Sequence, residues 1–196
     1  YTNGLNKQVW YKGEIDVDGV KLPYYQYNIA LTNVKQDEIE ITDTFDSCLK
    51  IYEIEEPGKD GITSKYDSGY HVWLYHNNVT GHDRWTEREL ATIVSTETNG
   101  DKTTVKFKFN VPKNGDEYFT NYDVEYYLIP NGAEGLNKLR TLSAEENGHT
   151  ISNTAKWLGK SSTANVDYTY KSESVGKQEV KAPGWSLLLV INQRRS

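Results

Sequence analysis

Three polar side chains of this sequence occupy positions where the neighbouring residues predict the buried face of a β-strand. In LNKQV, Lys7 has an apolar residue two positions before it and another two positions after it. In EIEITD, Asp43 follows two isoleucines at the same spacing, and in ISNTA, Asn153 lies between an isoleucine and an alanine. Because residues two apart on a strand face the same way, an amine, a carboxyl and a carboxamide are expected to point into a core. Unpaired buried charges are costly, so this placement calls for a chemical explanation.

These three groups can together form an amide bond. Burial lowers the pKa of a lysine and raises that of a carboxyl, and a neutral Lys7 amine is a nucleophile. A protonated Asp43 can polarise the carbonyl of Asn153 and pass a proton to the departing ammonia. The product is a neutral cross-link between Lys7 and Asn153. The sequence therefore predicts self-directed cross-linking and no enzymatic activity on an external substrate.

Each of the three residues also has an ordinary interpretation. Lys7 can be a solvated strand lysine, and Asp43 can start a turn and accept hydrogen bonds from its own backbone. Asn153 can cap a bend. Strand ends and β-bulges shift the face on which a side chain lies, so spacing alone leaves these alternatives open.

The elements that must position these residues are predominantly strands. About ten segments rich in Tyr, Val, Ile and Thr alternate apolar with polar residues and are separated by turn sequences such as DVDGV and PGKDG. A short helix is predicted near 134–146, where Leu136, Leu139 and Leu142 recur at helical spacing. No linker rich in Pro, Gly or Ser divides the chain. The pattern predicts an all-β antiparallel β-sandwich forming a single domain over 1–196.

The composition excludes several classes of partner. The 196 residues carry a formal net charge of −6, so the chain lacks the basic surface that nucleic acids or anionic membranes attract. No run of about 18 apolar residues is present, and the longest apolar stretch, LLLVI, suits a buried strand, so membrane insertion is not expected. A single cysteine, Cys48, excludes a disulfide framework. With no methionine and no visible signal peptide, the chain is expected to be part of a larger precursor.

Three stretches resemble the collagen-adhesin type of immunoglobulin-like domain found in Gram-positive surface adhesins and pilin shafts. They are GLNKQVW, YYQYNIALTNVKQDEIEITDTFDSCLKIYEI and HTISNTAKW, and in this order they span residues 1 to about 160. Domains of this type carry an intramolecular Lys–Asn isopeptide bond. The resemblance implies an immunoglobulin-like sandwich with Lys7 as the amine, Asn153 as the amide and Asp43 as the catalytic acid.

The resemblance also implies a location and partners. The parent protein would be extracellular and attached to the cell wall, with neighbouring domains in the same surface protein. Its ligand would be a protein or glycan on a host or environmental surface, and no cofactor is expected. The sequence contains neither a recognisable sorting motif nor a sortase-acceptor lysine motif, which favours an adhesin stalk or tip module over a polymerising pilin.

Two rival cross-links remain open from the sequence. Asn192, near the end of the chain, is an alternative amide partner for Lys7, because some related domains use an asparagine of the last strand; Asn153 is preferred. An ester between Thr2 and Gln193 is also conceivable, although only their terminal positions favour it.

An aromatic cluster suggests an alternative function. Tyr70, Trp73, Tyr75 and Trp85 lie close together in the sequence, and exposed aromatic rings stack on sugars or anchor proteins. The alternative is therefore a carbohydrate-binding β-sandwich module, unless these rings fill the core. The four histidines show no spacing typical of metal ligands, so no metal is expected.

Overall fold

A computed structural model of the chain describes residues 2–53, 69–75, 85–111, 113–114, 117–118 and 120–171. Thirteen strands and one helix are assigned within these ranges. They are β1 (Gly4–Val17), β2 (Val20–Thr32), β3 (Glu38–Asp46), β4 (Leu49–Ile51), β5 (His71–Tyr75), β6 (Trp85–Leu90), β7 (Thr92–Asn99), β8 (Lys102–Asn110), β9 (Lys113–Asn114), β10 (Glu117–Tyr118), β11 (Asn121–Pro130), α1 (Gly132–Glu146), β12 (His149–Trp157) and β13 (Lys160–Tyr168).

The strands form two main antiparallel sheets that face each other. The first sheet has the order β1-β2-β11-β5-β6, with β4 also pairing with β11, and the second has the order β13-β12-β3-β8-β7. The short strands β9 and β10 pair with each other. The predicted all-β antiparallel fold class is confirmed, in keeping with the immunoglobulin-like sandwich that the resemblance implied, and the helix predicted near 134–146 is α1.

The core lies between the sheets, and strand alternation explains its composition. In β2 the core face carries Tyr25, Tyr27, Ile29 and Leu31, while β3 and β8 contribute isoleucine and phenylalanine residues from the opposite sheet. These side chains are at most 5% exposed. Burial of large apolar side chains is the main force that holds the two sheets together.

A tight turn sets the register of the first two strands. Asp18 and Gly19 connect β1 to β2 and both have positive φ values, of 50° and 82°, as two-residue hairpin turns of type I′ require. The hairpin places Lys7 opposite Ile29 of β2, with an irregularity in register between Val9 and Tyr11. Lys7 thereby shares the inward-facing side of the first sheet.

The outer edge of β1 lies beside β13 of the second sheet. The backbone N–H of Lys7 donates a hydrogen bond to the Ser162 hydroxyl at 2.8 Å, and Lys12 Nζ donates to the carbonyl oxygen of Asp167 at 2.7 Å. At this corner the two sheets come close enough for a β1 side chain to reach strands of the opposite sheet.

Two further expectations concern the chain as a whole. Among the described residues, no helix has the length and apolar character needed to cross a membrane. The prediction of a single domain over 1–196 includes residues outside the described ranges and stays a prediction.

Candidate cross-linking site

The Lys7 amine meets the other two residues of the predicted cross-link in the core. Lys7 Nζ donates hydrogen bonds to Asp43 Oδ1 and, at 2.5 Å, to Asn153 Oδ1. Lys7 is 3% exposed, and Asp43 and Asn153 are 0% exposed. Amine, carboxyl and carboxamide thus form one contact group from which water is excluded.

Strand pairing explains how Asp43 and Asn153 become neighbours. Asp43 on β3 is paired with Ala155 on β12, and Asn153 lies two residues before Ala155, so the two side chains are diagonal neighbours on one face. Asn153 is itself paired with Ala164 of β13. Both alanines are buried, and Lys7 reaches this face of the second sheet from β1 of the first.

Two tyrosines complete the site. The Tyr70 hydroxyl donates a hydrogen bond to Asp43 Oδ2 at 2.9 Å. The hydroxyl oxygen of Tyr126 accepts a hydrogen bond from Lys7 Nζ at 2.5 Å and another from Asn153 Nδ2 at 2.7 Å. Burial, and next the nearby charge of Asp43, raise the pKa of both phenols well above the usual value, so both hydroxyls keep their protons.

Sequence reasoning missed Tyr126 and misplaced Tyr70. Alternation in VEYYLIP is enough to put Tyr126 on a buried face, but nothing local indicates which polar groups that face meets. The sequence places Tyr70 in an aromatic ligand-binding cluster. Its ring instead lies in the core, 1% exposed and stacked on Phe107 at a centroid distance of 3.9 Å. The structure therefore removes Tyr70 from any exposed aromatic surface.

The environment of Lys7 makes the neutral amine more accessible than it is in an exposed lysine. Desolvation by burial lowers the pKa of Lys7 to about 8, although the charge of Asp43 and the hydrogen bond to it act in the opposite direction. The rings of Tyr27 and Tyr126 lie 5.2 and 4.9 Å from Nζ, which gives the charged form partial compensation. An amine whose pKa lies near neutrality can lose its proton and act as a nucleophile.

Of the other three residues of the predicted aromatic cluster, only Trp73 has a described side chain. Trp73 is half-buried and its indole N–H donates to Glu125 Oε2 at 3.1 Å. Tyr75 and Trp85 belong to β5 and β6, and their side chains lie outside the described part of the chain.

Asn192 and Gln193, the rival amide and ester partners, lie outside the described residues. In the described ranges, no group of three or more His, Cys, Asp or Glu side chains could hold a metal ion. Asn153 is the amide that the described structure brings to Lys7.

Comparisons with known proteins give distant structural likenesses only. No family model matches the sequence, and no curated protein matches it. The N-terminal domain of the Streptococcus gordonii adhesin Sgo0707 is 14% identical with a TM-score of 0.36, covering 76% of this chain and 28% of that one. The pilus backbone RrgB of Streptococcus pneumoniae is 11% identical with a TM-score of 0.39, covering 80% of this chain and 31% of that one.

A third likeness is to the KRT10-binding region of the pneumococcal serine-rich repeat protein PsrP. It is 14% identical with a TM-score of 0.28, and the match covers 80% of this chain and 90% of that one. The chain spans less than a third of the length of the Sgo0707 and RrgB structures. Similarity this low does not establish a common function.

Proposed function

We propose that this chain is a structural or adhesive module of a bacterial cell-surface protein, stabilised by a self-catalysed isopeptide bond between Lys7 and Asn153. The observation that carries the proposal is the buried contact of Lys7 Nζ with both Asp43 and the Asn153 carboxamide. The sequence resemblance to Gram-positive surface domains supports the location outside the cell, in a protein attached to the cell wall.

The reaction begins with a proton transfer inside the buried pair. Lys7 gives one proton to Asp43, because the exclusion of water reduces the free-energy difference between the charged pair and the neutral pair. The lone pair of Nζ then attacks Cγ of Asn153, and the π electrons of the carbonyl move to Oδ1, which the Asp43 proton stabilises.

The second half of the reaction releases ammonia. The bond between Cγ and Nδ2 of Asn153 breaks, the carbonyl re-forms and Asp43 recovers its proton. Of the two protons on the Lys7 amine, one stays on the new amide and the other leaves on ammonia. The reaction needs no cofactor, no oxidant and no external substrate.

The bond would join the two sheets at the corner formed by β1. Lys7 and Asn153 are 146 residues apart in sequence, so the cross-link closes most of the described fold into one covalent loop. By analogy with a disulfide that closes a loop of this length, the restriction of the unfolded chain is worth roughly 5 kcal/mol. With a single cysteine in the sequence, an amide gives covalent stability that does not depend on disulfides.

This stabilisation suits a module that spaces or presents a binding function at a surface. The proposed partners are neighbouring domains of the same protein and a protein or glycan ligand on a host or environmental surface. A covalent tie between β1 and β12 would hold those strands together when a bound ligand exerts tension on the chain.

Intact-mass measurement of the purified protein tests the cross-link. We expect the wild type to be lighter than its sequence by one ammonia, and Lys7→Ala and Asp43→Ala to have the full mass. Lys12→Ala is the matched control, because Lys12 lies on the same strand but is exposed, and it should keep the deficit. Peptide mapping should then recover the segments that contain Lys7 and Asn153 as one linked species.

Two other results would count against this proposal. A wild-type mass equal to the sequence mass would exclude the isopeptide bond. A deficit of one ammonia that persists in Lys7→Ala would move the linkage to another lysine or to an ester such as the one considered for Thr2 and Gln193.

A further inference from the structure

We propose that Tyr126 is a catalytic proton relay that carries a proton from the Lys7 amine to the departing nitrogen of Asn153. This inference rests on the proposed cross-link and adds a residue that the sequence reasoning did not assign. Tyr126 lies on β11 of the first sheet, and its hydroxyl projects into the buried contact between Lys7 and Asn153.

The position of the Tyr126 hydroxyl is the first argument. Its oxygen is 2.5 Å from Lys7 Nζ and 2.7 Å from Asn153 Nδ2, so one atom contacts both the nucleophile and the leaving group. Lys7 Nζ must lose a proton during amide formation, and Nδ2 must gain one to leave as ammonia. A hydroxyl between them can accept the first proton and donate the second, because a phenol hydroxyl is both a donor and an acceptor.

The electronic change at Nδ2 is the second argument. In the starting carboxamide the nitrogen lone pair is delocalised, so Nδ2 donates its hydrogen bond to Tyr126. After Nζ has attacked Cγ, the carbon is tetrahedral and Nδ2 becomes an amine with a basic lone pair. The same hydrogen bond can then reverse, with the Tyr126 hydroxyl donating to Nδ2.

The contacts of Asp43 are the third argument. Its Oδ1 accepts from Lys7 Nζ, and its Oδ2 accepts from the Tyr70 hydroxyl at 2.9 Å. The structure thus places Asp43 to take the first Lys7 proton, while the hydroxyl in contact with the leaving nitrogen is that of Tyr126. The geometry thus divides the two proton transfers between Asp43 and Tyr126.

The relay step conserves protons and charge. In the tetrahedral intermediate, Nζ carries two protons and a positive charge, and the Tyr126 hydroxyl accepts one of them while giving its own proton to Nδ2. The Cγ–Nδ2 bond then breaks with its electron pair on nitrogen, and ammonia leaves. Tyr126 ends as a neutral phenol, in agreement with the raised pKa of its buried hydroxyl.

Replacing only the hydroxyl tests this role. The full chain is produced by cell-free synthesis, samples are unfolded in denaturant at successive times, and the fraction that has lost ammonia is measured by intact mass. We expect Tyr126→Phe to cross-link at least about 10-fold more slowly than the wild type, since positioned proton transfer contributes about 10²–10⁴-fold to a rate.

Tyr122→Phe is the matched control. Tyr122 lies on β11 four residues before Tyr126, in the same core, and is 1% exposed. The side-chain hydrogen bonds of Lys7, Asp43 and Asn153 go to one another and to the two site tyrosines, and none of them involves Tyr122. We expect a rate within about twofold of the wild type, because no reacting group loses a contact.

The outcomes for the relay and for the cross-link are distinguishable. A wild type that never loses ammonia would contradict the cross-link itself. A wild type that cross-links, together with a Tyr126→Phe variant that does so at the same rate, would overturn the relay and leave the cross-link standing. An equal slowing in Tyr122→Phe would also overturn it, because the effect would then come from core packing.

Folding is checked independently of the reaction. Lys7→Ala/Tyr126→Phe and Lys7→Ala, neither of which can form the bond, should have similar circular dichroism spectra. If the Phe variant does not fold, a fluorinated tyrosine at position 126 replaces it, because this keeps the hydroxyl and changes mainly its acidity. The relay predicts a changed cross-linking rate, and an unchanged rate would contradict it.

Discussion

Lys7 Nζ lies 2.5 Å from Asn153 Oδ1, although the two residues belong to different sheets and are 146 positions apart in sequence. The contact is buried, and Asp43 and Tyr126 share it. The contact between Lys7 and Asn153 does not require pairing of β1 with β12. The Lys7 side chain extends from the edge of one sheet to the interior face of the other. A covalent bond here would therefore connect elements that are otherwise held mainly by packing.

Loss of the cross-link should lower thermal stability. We expect Lys7→Ala to unfold about 10–20 °C below the wild type, because a long covalent loop is worth roughly 5 kcal/mol and each kcal/mol shifts the midpoint by about 2–4 °C at this chain length. Differential scanning calorimetry measures the shift. Lys12→Ala, which removes an exposed lysine of the same strand, should change the midpoint by less than about 2 °C. Equal midpoints for both variants and the wild type would contradict a stabilising cross-link.

The rate of cross-linking should fall as the pH rises through about 8. The reactive state needs one proton shared between Lys7 and Asp43, so that the amine is neutral while the carboxyl can protonate Asn153 Oδ1. Because the pKa of Lys7 is lowered to about 8, this shared proton is present below that pH and lost above it. A time course of ammonia loss at pH 7 and pH 9.5 measures the effect. A rate that increases over this range would indicate that the neutral amine alone limits the reaction.

Removal of the Tyr70 hydroxyl should slow the reaction less than removal of the Tyr126 hydroxyl. Tyr70 contacts Asp43 Oδ2 and holds the carboxyl in place, but it reaches neither reacting nitrogen in the observed hydrogen-bond network. We expect Tyr70→Phe to slow cross-linking by several-fold and to destabilise an unlinked Lys7→Ala background by about 1–3 kcal/mol, the usual cost of leaving a buried polar atom unpaired. Time-resolved intact mass and urea unfolding measure the two effects. A slowing larger than that of Tyr126→Phe would reverse the assigned roles.

Asp123 should destabilise the fold at neutral pH. This residue of β11 is 3% exposed, and desolvation raises its pKa to about 6 despite a hydrogen bond from Asn28 at 3.2 Å. A raised pKa means that the folded state binds more protons than the unfolded state between about pH 4 and 6, so stability decreases as the pH rises through this window.

The matching substitution is Asp123→Asn, which is neutral and can still accept the Asn28 hydrogen bond. We expect it to raise the free energy of unfolding at pH 7 by on the order of 2 kcal/mol, and to give no gain near pH 3.5, where the carboxyl is protonated in both states. Asp16→Asn, at an exposed position of β1, is the control. It should change the free energy of unfolding by less than about 0.5 kcal/mol at both pH values. A similar gain for Asp123→Asn at both pH values would contradict the titration argument.

The sequence predicted the fold class and the inward side chains because both depend on local periodicity. Alternation with a period of two is visible around Lys7, Asp43 and Asn153, and it specifies a face of a strand without reference to any other strand. The helix near 134–146 was predictable for the same reason, from leucines at helical spacing.

The aromatic residues show what local sequence patterns do not predict. Tyr70 and Trp73 are three positions apart, yet Tyr70 packs in the core beside Asp43 and Trp73 bonds Glu125 on the opposite face of the sheet. Clustering in the sequence suggested one exposed binding surface. Opposite strand faces separate the two rings, and only the position of the strand within the sandwich determines which groups each ring meets.

The sequence by itself determined that an amine, a carboxyl and a carboxamide face a core. The tertiary structure decided that they face the same part of it, and that the hydroxyls of Tyr70 and Tyr126 join them. The physical reason is that strand pairing and sheet packing join residues far apart in the sequence. Both are determined by the total apolar surface that the two sheets bury. No local pattern around residue 7 contains the information that residues 126 and 153 will lie within hydrogen-bond distance of it.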